Sequence, residues 1–348
     1  MHTTDWKWQL RNSFSGPEGL RAICAGDPLL AERLRVIETY PFRVTPYYRS
    51  VAGAIDDPLP LVRQFMPDPR ETDTADAAAR DPFGEHGTTG VSGVIHRYPD
   101  RIVFLATARC AVRCRHCTRK NTLAVARGGR PDVQAAAAYV RARSAVREVI
   151  VSGGDPLLLE TGDLAQLLAA FRSVPHVEVL RIGTRVPAVL PMRVDDALCR
   201  VLREAAPLWV NTHFNHPAEL TAEAREACRR LADAGLPVSN QAVLLRGVND
   251  VYGVMKDLCT TLQANRVRPY YVFLCDPVRG TAHLRTGAAQ ARDFEERLRC
   301  DVGGLAQPRF VADLPVCAGK TPVARLASGQ AVGAARVAGR SGSIINVY

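Results

Sequence analysis

The chain has 348 residues, 47% of them hydrophobic, with a formal net charge of +10 and ten cysteines. That length supports one large core, or a core plus a cap. No apolar run approaches the length of a membrane span, the N-terminus MHTTDWKWQL lacks a signal-peptide pattern, and no fixed-period repeat or low-complexity tract occurs.

A cytoplasmic protein is expected, and in that compartment the cysteines do not read as a disulfide framework. The positive charge is almost all arginine and is spread along the chain. It reads as a solvated surface, with no membrane or nucleic-acid partner implied. Lysine occurs only at Lys7, Lys120, Lys256 and Lys320, so any chemistry that needs a lysine must choose among these.

In chain order, residues 1–95 carry helical patterns broken by prolines and form an expected N-terminal extension. A rhythm of β-prone runs follows: RIVFLATA (101–108), EVIVSGG (148–154), VEVLRIGT (177–184), LWVNTHF (208–214), VSNQAVLL (238–245) and YYVFLCD (270–276). Amphipathic helical patterns separate them, as in LAQLLAAFRSV and AELTAEAREACRRLADAG, and a seventh short run, RFVADLPV, lies at 309–316. Strands alternating with helices predict an α/β fold with a parallel sheet. Six such units predict a partial (β/α)6, TIM-like barrel over residues 96–300, followed by a C-terminal segment, 301–348.

Unusual polar residues cluster just after these strands. Three cysteines follow the first, Gly153, Gly154 and Asp155 the second, and Arg185 the third. NTHFNH with His213 ends the fourth, Gln241 lies in the fifth, Asp276 ends the sixth, and Asp313 lies in the last run. A β/α barrel builds its active site at the C-terminal ends of several strands, so these residues predict a single site.

The cysteines, Cys110, Cys114 and Cys117, have the spacing C-x3-C-x2-C. Structural zinc takes four ligands, usually as two separated pairs, and no second C-x-x-C exists. An iron–sulfur cluster is bound by thiolates, and three of them leave one iron of a four-iron cluster open to a further ligand.

This spacing after the first strand of a β/α barrel resembles the radical S-adenosylmethionine family. The resemblance implies a 4Fe–4S cluster whose open iron holds S-adenosylmethionine, with GGD (153–155) meeting its methionine amino group. More narrowly, CRHCTRK, HRYPDR (96–101), RIGTRVPAVLP (181–191), NTHFNHP (211–217), NQAVLLRGVND (240–250), RPYYVFLCD (268–276), GKTPV (319–323) and TPYYRSV (45–51) resemble lysine 2,3-aminomutases. The matches run over roughly residues 40–325.

That family is an isomerase family that also uses pyridoxal 5′-phosphate, carried as a Schiff base on a lysine. Lys320 matches that lysine, and the C-terminal segment is then the cofactor-binding one. The resemblance further implies that Arg97 and Arg101 hold the cofactor phosphate, that Arg119 holds the substrate carboxylate, and that Asp276 and Asp313 hold a distal ammonium. His116, His213 and Gln241 line the cavity. A flavodoxin- or ferredoxin-type reductant and a homo-oligomer are also implied. The implied reaction moves the α-amino group of a basic L-amino acid to C3, first L-lysine giving β-lysine, through a 5′-deoxyadenosyl radical that takes a hydrogen from C3.

There are departures from the family pattern. LPVCAG replaces a glycine-rich run before the cofactor lysine, and Phe273 stands where a tyrosine is expected. The tail after Lys320 lacks the cysteines that bind zinc between subunits in longer members. Three alternatives stay open: an arginine 2,3-aminomutase, a radical enzyme acting on tRNA or protein, and an iron–sulfur module without catalysis.

Overall fold

The fold was obtained as a computed structural model that describes residues 4–53, 59–76, 78–85, 89–125, 131–314, 319–326, 335–338 and 344–347. The N-terminal extension is helical, as expected. Helices Gly16–Ile23, Leu30–Thr39 and Pro46–Gly53 are joined by a small antiparallel ladder, β1 (Phe14–Ser15) on β2 (Arg43–Val44). Leu20, Tyr48 and Phe65 of the extension are fully buried in the same core as the barrel strands. The Tyr48 and Phe65 rings meet edge to face at 5.8 Å.

A nine-stranded open sheet follows. It begins with β3 (Val94–Tyr98), which turns back antiparallel onto β4 (Arg101–Leu105). Five more strands then add in parallel: β5 (Glu148–Ser152), β6 (Val179–Gly183), β7 (Leu208–Thr212), β8 (Val238–Leu244) and β9 (Arg268–Leu274). The run at 309–316 becomes a further parallel strand, β10 (Arg309–Leu314), and β11 (Gly319–Pro322) closes the edge antiparallel to it. Strands β12 (Ala335–Ala338) and β13 (Ile344–Val347) pair with each other.

All six expected strand–helix units from β4 to β9 are present, so the partial-barrel expectation holds. The two antiparallel edges were not read from the sequence. Their pairing is with strands the periodicity had already found, and short edge strands carry little alternation of their own. The sheet therefore continues past residue 300, and its last two strands lie beside the core of the barrel. The run 315–318 of LPVCAG and most of the C-terminal tail lie outside the described residues.

Successive strand residues point to opposite faces. On β5, Val149 and Val151 are fully buried, while Ile150 and Ser152 face a central cavity. On β6, Leu180 and Ile182 are buried, while Arg181 and Gly183 face it.

The crossover helices cover the outer face with apolar stripes. Helix Thr161–Arg172 contributes Leu164, Leu168 and Phe171, and the Phe171 ring meets Phe104 of β4 edge-on at 5.3 Å. Burying one such side chain is worth roughly 2–3 kcal/mol. The helices start where their caps dictate. Asp132 accepts from the Gln134 and Ala135 amides, Asp195 from Leu198 and Thr221 from Ala224. Among the described residues no helix is long and apolar enough to cross a membrane.

Candidate active site

The strand ends surround a cavity of about 380 Å³. All the expected cluster and glycine-motif residues border it: Cys110, Cys114, Cys117, Gly153, Gly154 and Asp155. So do the expected phosphate and substrate groups, Arg97, Arg101, Arg119, Asp276, Asp313 and Lys320. His116, His213 and Gln241 complete the wall.

The three cysteines sit on the loop leaving β4, and none of them is in a disulfide. The second strand end shapes this loop. The Gly154 amide donates to Thr107 O at 2.5 Å and the Asp155 amide to Arg109 O at 2.8 Å. A Cβ on Gly153 would sit 2.3 Å from Thr107 O, and one on Gly154 2.1 Å from Arg109 O. Gly153 also has φ +130°, which other residues rarely adopt. The glycines are thus required by the approach of the cysteine loop.

The Asp155 carboxylate is held by the next strand end. It accepts from Thr184 Oγ1 at 2.7 Å, from the Arg185 amide at 2.7 Å and from the Leu157 amide at 3.1 Å. Burial still pushes its pKa up to about 6.

The other side of the cysteine loop rests on the N-terminal extension. Arg115 and Lys120 both reach the buried carboxylate of Glu71, Arg115 Nε at 2.8 Å and Lys120 Nζ at 2.6 Å. The backbone adds Arg113 N to Arg43 O and Arg115 N to Gln64 O, each at 2.9 Å. Burial pushes the Cys110 and Cys117 thiols up. Thiols raised in this way need a metal or a nearby cation to become thiolates.

Among the described residues, no three His, Cys, Asp or Glu side chains converge on a point suited to a single metal ion. Two neutral imidazoles lie close by, with ring centroids 5.5 Å apart. Burial lowers His213 to about 4 and holds His116 well below its ordinary value. His116 Nδ1 and His213 Nε2 are buried without a hydrogen-bond partner among the described residues, so the wall offers polar atoms to a ligand.

At the opposite edge of the sheet, β11 sets Lys320 directly across from Asp313. Lys320 opens onto the cavity, so its surface reaches solvent although protein surrounds it. Burial lowers its pKa, helped by Arg181, Arg101 and Arg97 and opposed by Asp313. A lowered pKa makes the amine easier to deprotonate, which favours its use as a nucleophile. Its Nζ lies 5.7 Å from the Phe273 ring centre.

The other three lysines are committed elsewhere. Lys7 pairs with Glu160, Lys256 with Asp301 and Lys120 with Glu71. Arg97 lies 3.4 Å from Asp313 and donates to Leu314 O, and Arg101 stacks on Tyr98 at 3.8 Å. These residues fit pyridoxal phosphate: an amine of lowered pKa with guanidinium forks beside it.

Asp276 accepts from Thr118 Oγ1 at 2.7 Å. Burial pushes its pKa up to about 7, against the Thr118 bond, and nearby Asp313 and Glu85 add to the rise. Arg119 is held in a two-pronged pair by Glu85, Nε at 2.8 Å and Nη2 at 2.9 Å, which leaves Nη1 outside it.

Sequence reasoning missed Glu71, Glu85, Glu219, Tyr48, Gln64 and Thr118 as parts of this site. Tyr48, in TPYYRSV, and Thr118, in CRHCTRK, stood inside the family-like motifs, and Glu219 inside the helical pattern AELTAEAREACRRLADAG.

Comparison with known proteins agrees with the geometry. Residues 104–258 match the model of the Radical SAM superfamily. The L-lysine 2,3-aminomutase of Fusobacterium nucleatum is 42% identical over 322 residues, covering 92% of this chain and 76% of that protein. That of Acetoanaerobium sticklandii is 42% identical over 327 residues, covering 92% and 78%. The glutamate 2,3-aminomutase of Clostridioides difficile is 36% identical over 327 residues, covering 92% and 77%. With its thiol loop, glycine motif and cavity lysine at one sheet end, this chain belongs to the lysine 2,3-aminomutase family of radical S-adenosylmethionine enzymes, whose cofactors are a 4Fe–4S cluster, S-adenosylmethionine and pyridoxal phosphate.

Proposed function

We propose that this 2,3-aminomutase acts on L-lysine and yields β-lysine. The observation that carries the substrate is the Asp276 carboxylate in the cavity wall, with a hydroxyl on it and a second carboxylate, Asp313, nearby. Asp276 is partly buried in the cavity wall, accepts from the Thr118 hydroxyl, and is raised by burial and by Asp313. A buried carboxylate in that state is relieved by a cation. A side-chain ammonium supplies one, whereas a glutamate side chain would add a further carboxylate to the same place.

When bound, the cluster and S-adenosylmethionine supply the radical that removes hydrogen from C3, and pyridoxal phosphate supplies the carbon that carries the nitrogen as it moves. In this reading Cys110, Cys114 and Cys117 hold the cluster as thiolates. Gly153, Gly154 and Asp155 keep the cysteine loop close to the second strand. Lys320 Nζ would hold pyridoxal phosphate, and Arg97 and Arg101 would supply the cations for its phosphate. Arg119 offers Nη1 to the substrate carboxylate while Glu85 fixes its plane. Asp276 and Asp313 receive the distal ammonium. His116, His213 and Gln241 supply uncharged polar contacts and help exclude water, which protects a radical from quenching. A flavodoxin- or ferredoxin-type donor, a cytoplasmic setting and a homo-oligomer complete the reading.

The test is an oxygen-free reconstitution with iron, sulfide, pyridoxal phosphate, S-adenosylmethionine and reductant, offered lysine, arginine, ornithine and glutamate separately. β-Lysine formed well ahead of the other isomers is expected. β-Glutamate or β-arginine as the main product would overturn the substrate.

A further inference from the structure

Arg185, just past β6, is among the most constrained side chains of the cavity wall. It is buried, with 7% of its surface exposed. Its Nη1 lies 2.9 Å from Cys114 Sγ. Its Nη2 donates to Glu219 Oε1 at 2.7 Å, to Tyr48 OH at 3.0 Å and to Gln64 Oε1. Its backbone amide donates to Asp155 at 2.7 Å. Glu219 is fixed in turn. It accepts from Tyr48 OH at 2.5 Å, from the Asn215 amide at 2.6 Å and from the His216 amide at 3.0 Å.

Stability alone is a weak reason for this arrangement. Buried ion pairs can often be replaced by apolar residues at no net cost. What an apolar replacement would lose is a fixed N–H donor and a positive charge on a cysteine sulfur. Iron–sulfur potentials are set by net charge and by hydrogen bonds to the sulfurs. Reduction adds one electron to the cluster, so a cation at a ligating sulfur stabilises the reduced form more than the oxidised one.

We propose that Arg185 is a positioning residue that orients the Cys114 sulfur and raises the reduction potential of the cluster held there, with Glu219, Tyr48 and Gln64 as the frame that sets how much of its charge the cluster feels. This rests on reading Cys110, Cys114 and Cys117 as the cluster ligands. It gives the N-terminal extension a part in electron entry, because Tyr48 and Gln64 come from it.

The test is a potentiometric titration of the reconstituted full chain. It is followed by electron paramagnetic resonance of the reduced cluster, without S-adenosylmethionine or substrate. Arg185→Gln is expected to shift the midpoint to more negative potential, with about tenfold less reduced cluster at a fixed potential, which is about 59 mV for one electron. Glu219→Gln leaves the guanidinium less compensated and is expected to shift the midpoint the opposite way. Arg185→Lys keeps the charge, loses the fork and should fall between Arg185→Gln and wild type. A role limited to holding the fold would change cluster content and leave the potential of the remaining clusters unmoved, and that result overturns the proposal. If Arg185→Gln holds no cluster, Glu219→Gln decides: an unmoved or more negative midpoint overturns it. A wild-type chain that takes up no cluster, and is indistinguishable from Cys114→Ala, would remove the cluster assignment and this inference together.

Discussion

Asp313 and Lys320 are cross-strand partners on the β10–β11 ladder, so the acid expected to hold the substrate's far end neighbours the amine expected to hold the cofactor. Paired residues on one face of an antiparallel ladder have Cβ atoms about 5 Å apart. The two can therefore be separated only by their readouts. Lys320→Arg should abolish trapping of pyridoxal phosphate by borohydride, as read by mass spectrometry of the protein. Asp313→Asn should keep that trapping and raise KM for lysine by roughly a hundredfold, in line with the 2–5 kcal/mol seen when one member of a buried charge pair is truncated.

The pKa of Asp276, at about 7, predicts a pH profile. A cationic substrate needs the ionised carboxylate, so kcat/KM for lysine should fall about tenfold per unit below pH 7. Asp276→Asn should lose that acidic limb and lie far lower throughout. Stability moves the other way. The folded pKa is raised, so between about pH 4 and pH 7 the unfolded chain gives up a proton that the folded chain keeps. Stability falls as pH rises through that window. The Asn variant should therefore gain more in Tm at pH 8 than at pH 5.5.

Thr118 donates its hydroxyl to the Asp276 carboxylate, through the 2.7 Å bond to Oδ2. Thr118→Val keeps the shape and removes the donor. A hydrogen bond to a charged group is worth about 1.5–3 kcal/mol. KM for lysine should rise about tenfold or more, and the acidic limb of kcat/KM should move to higher pH. A profile that overlays on wild type would contradict the role given to Thr118.

Gly154→Ala tests the glycine motif as a spacer. The added Cβ would lie 2.1 Å from the Arg109 carbonyl oxygen, and backbone cannot yield as a flexible side chain can. The cysteine loop should shift, giving a folded protein with far less bound iron after reconstitution. Normal iron content would show that the close approach is not required.

Glu71→Ala would leave Arg115 and Lys120 buried without their shared carboxylate. Removing one partner of a buried ion pair costs about 3–5 kcal/mol. Chemical denaturation should show a midpoint lowered to match, with cluster loading lost before the fold, because Glu71 clamps the cysteine loop to the extension.

The sequence by itself determined the elements and the chemistry. Alternation and helical stripes gave the six strand–helix units. The C-x3-C-x2-C spacing, GGD and the scarcity of lysine named groups that the sheet then brings to one cavity. Those signals are local: a strand's pattern, a loop of eight residues, a glycine where backbone approaches backbone. Only the tertiary structure decided which acid answers which base. Arg119 pairs with Glu85 across 34 residues, Arg115 with Glu71 across 44, and Tyr48 with Glu219 across 171. With 45 basic and 35 acidic residues, many pairings are open to the unfolded chain. Burial selects among them, because a charge taken out of water demands the one partner that folding has placed within reach.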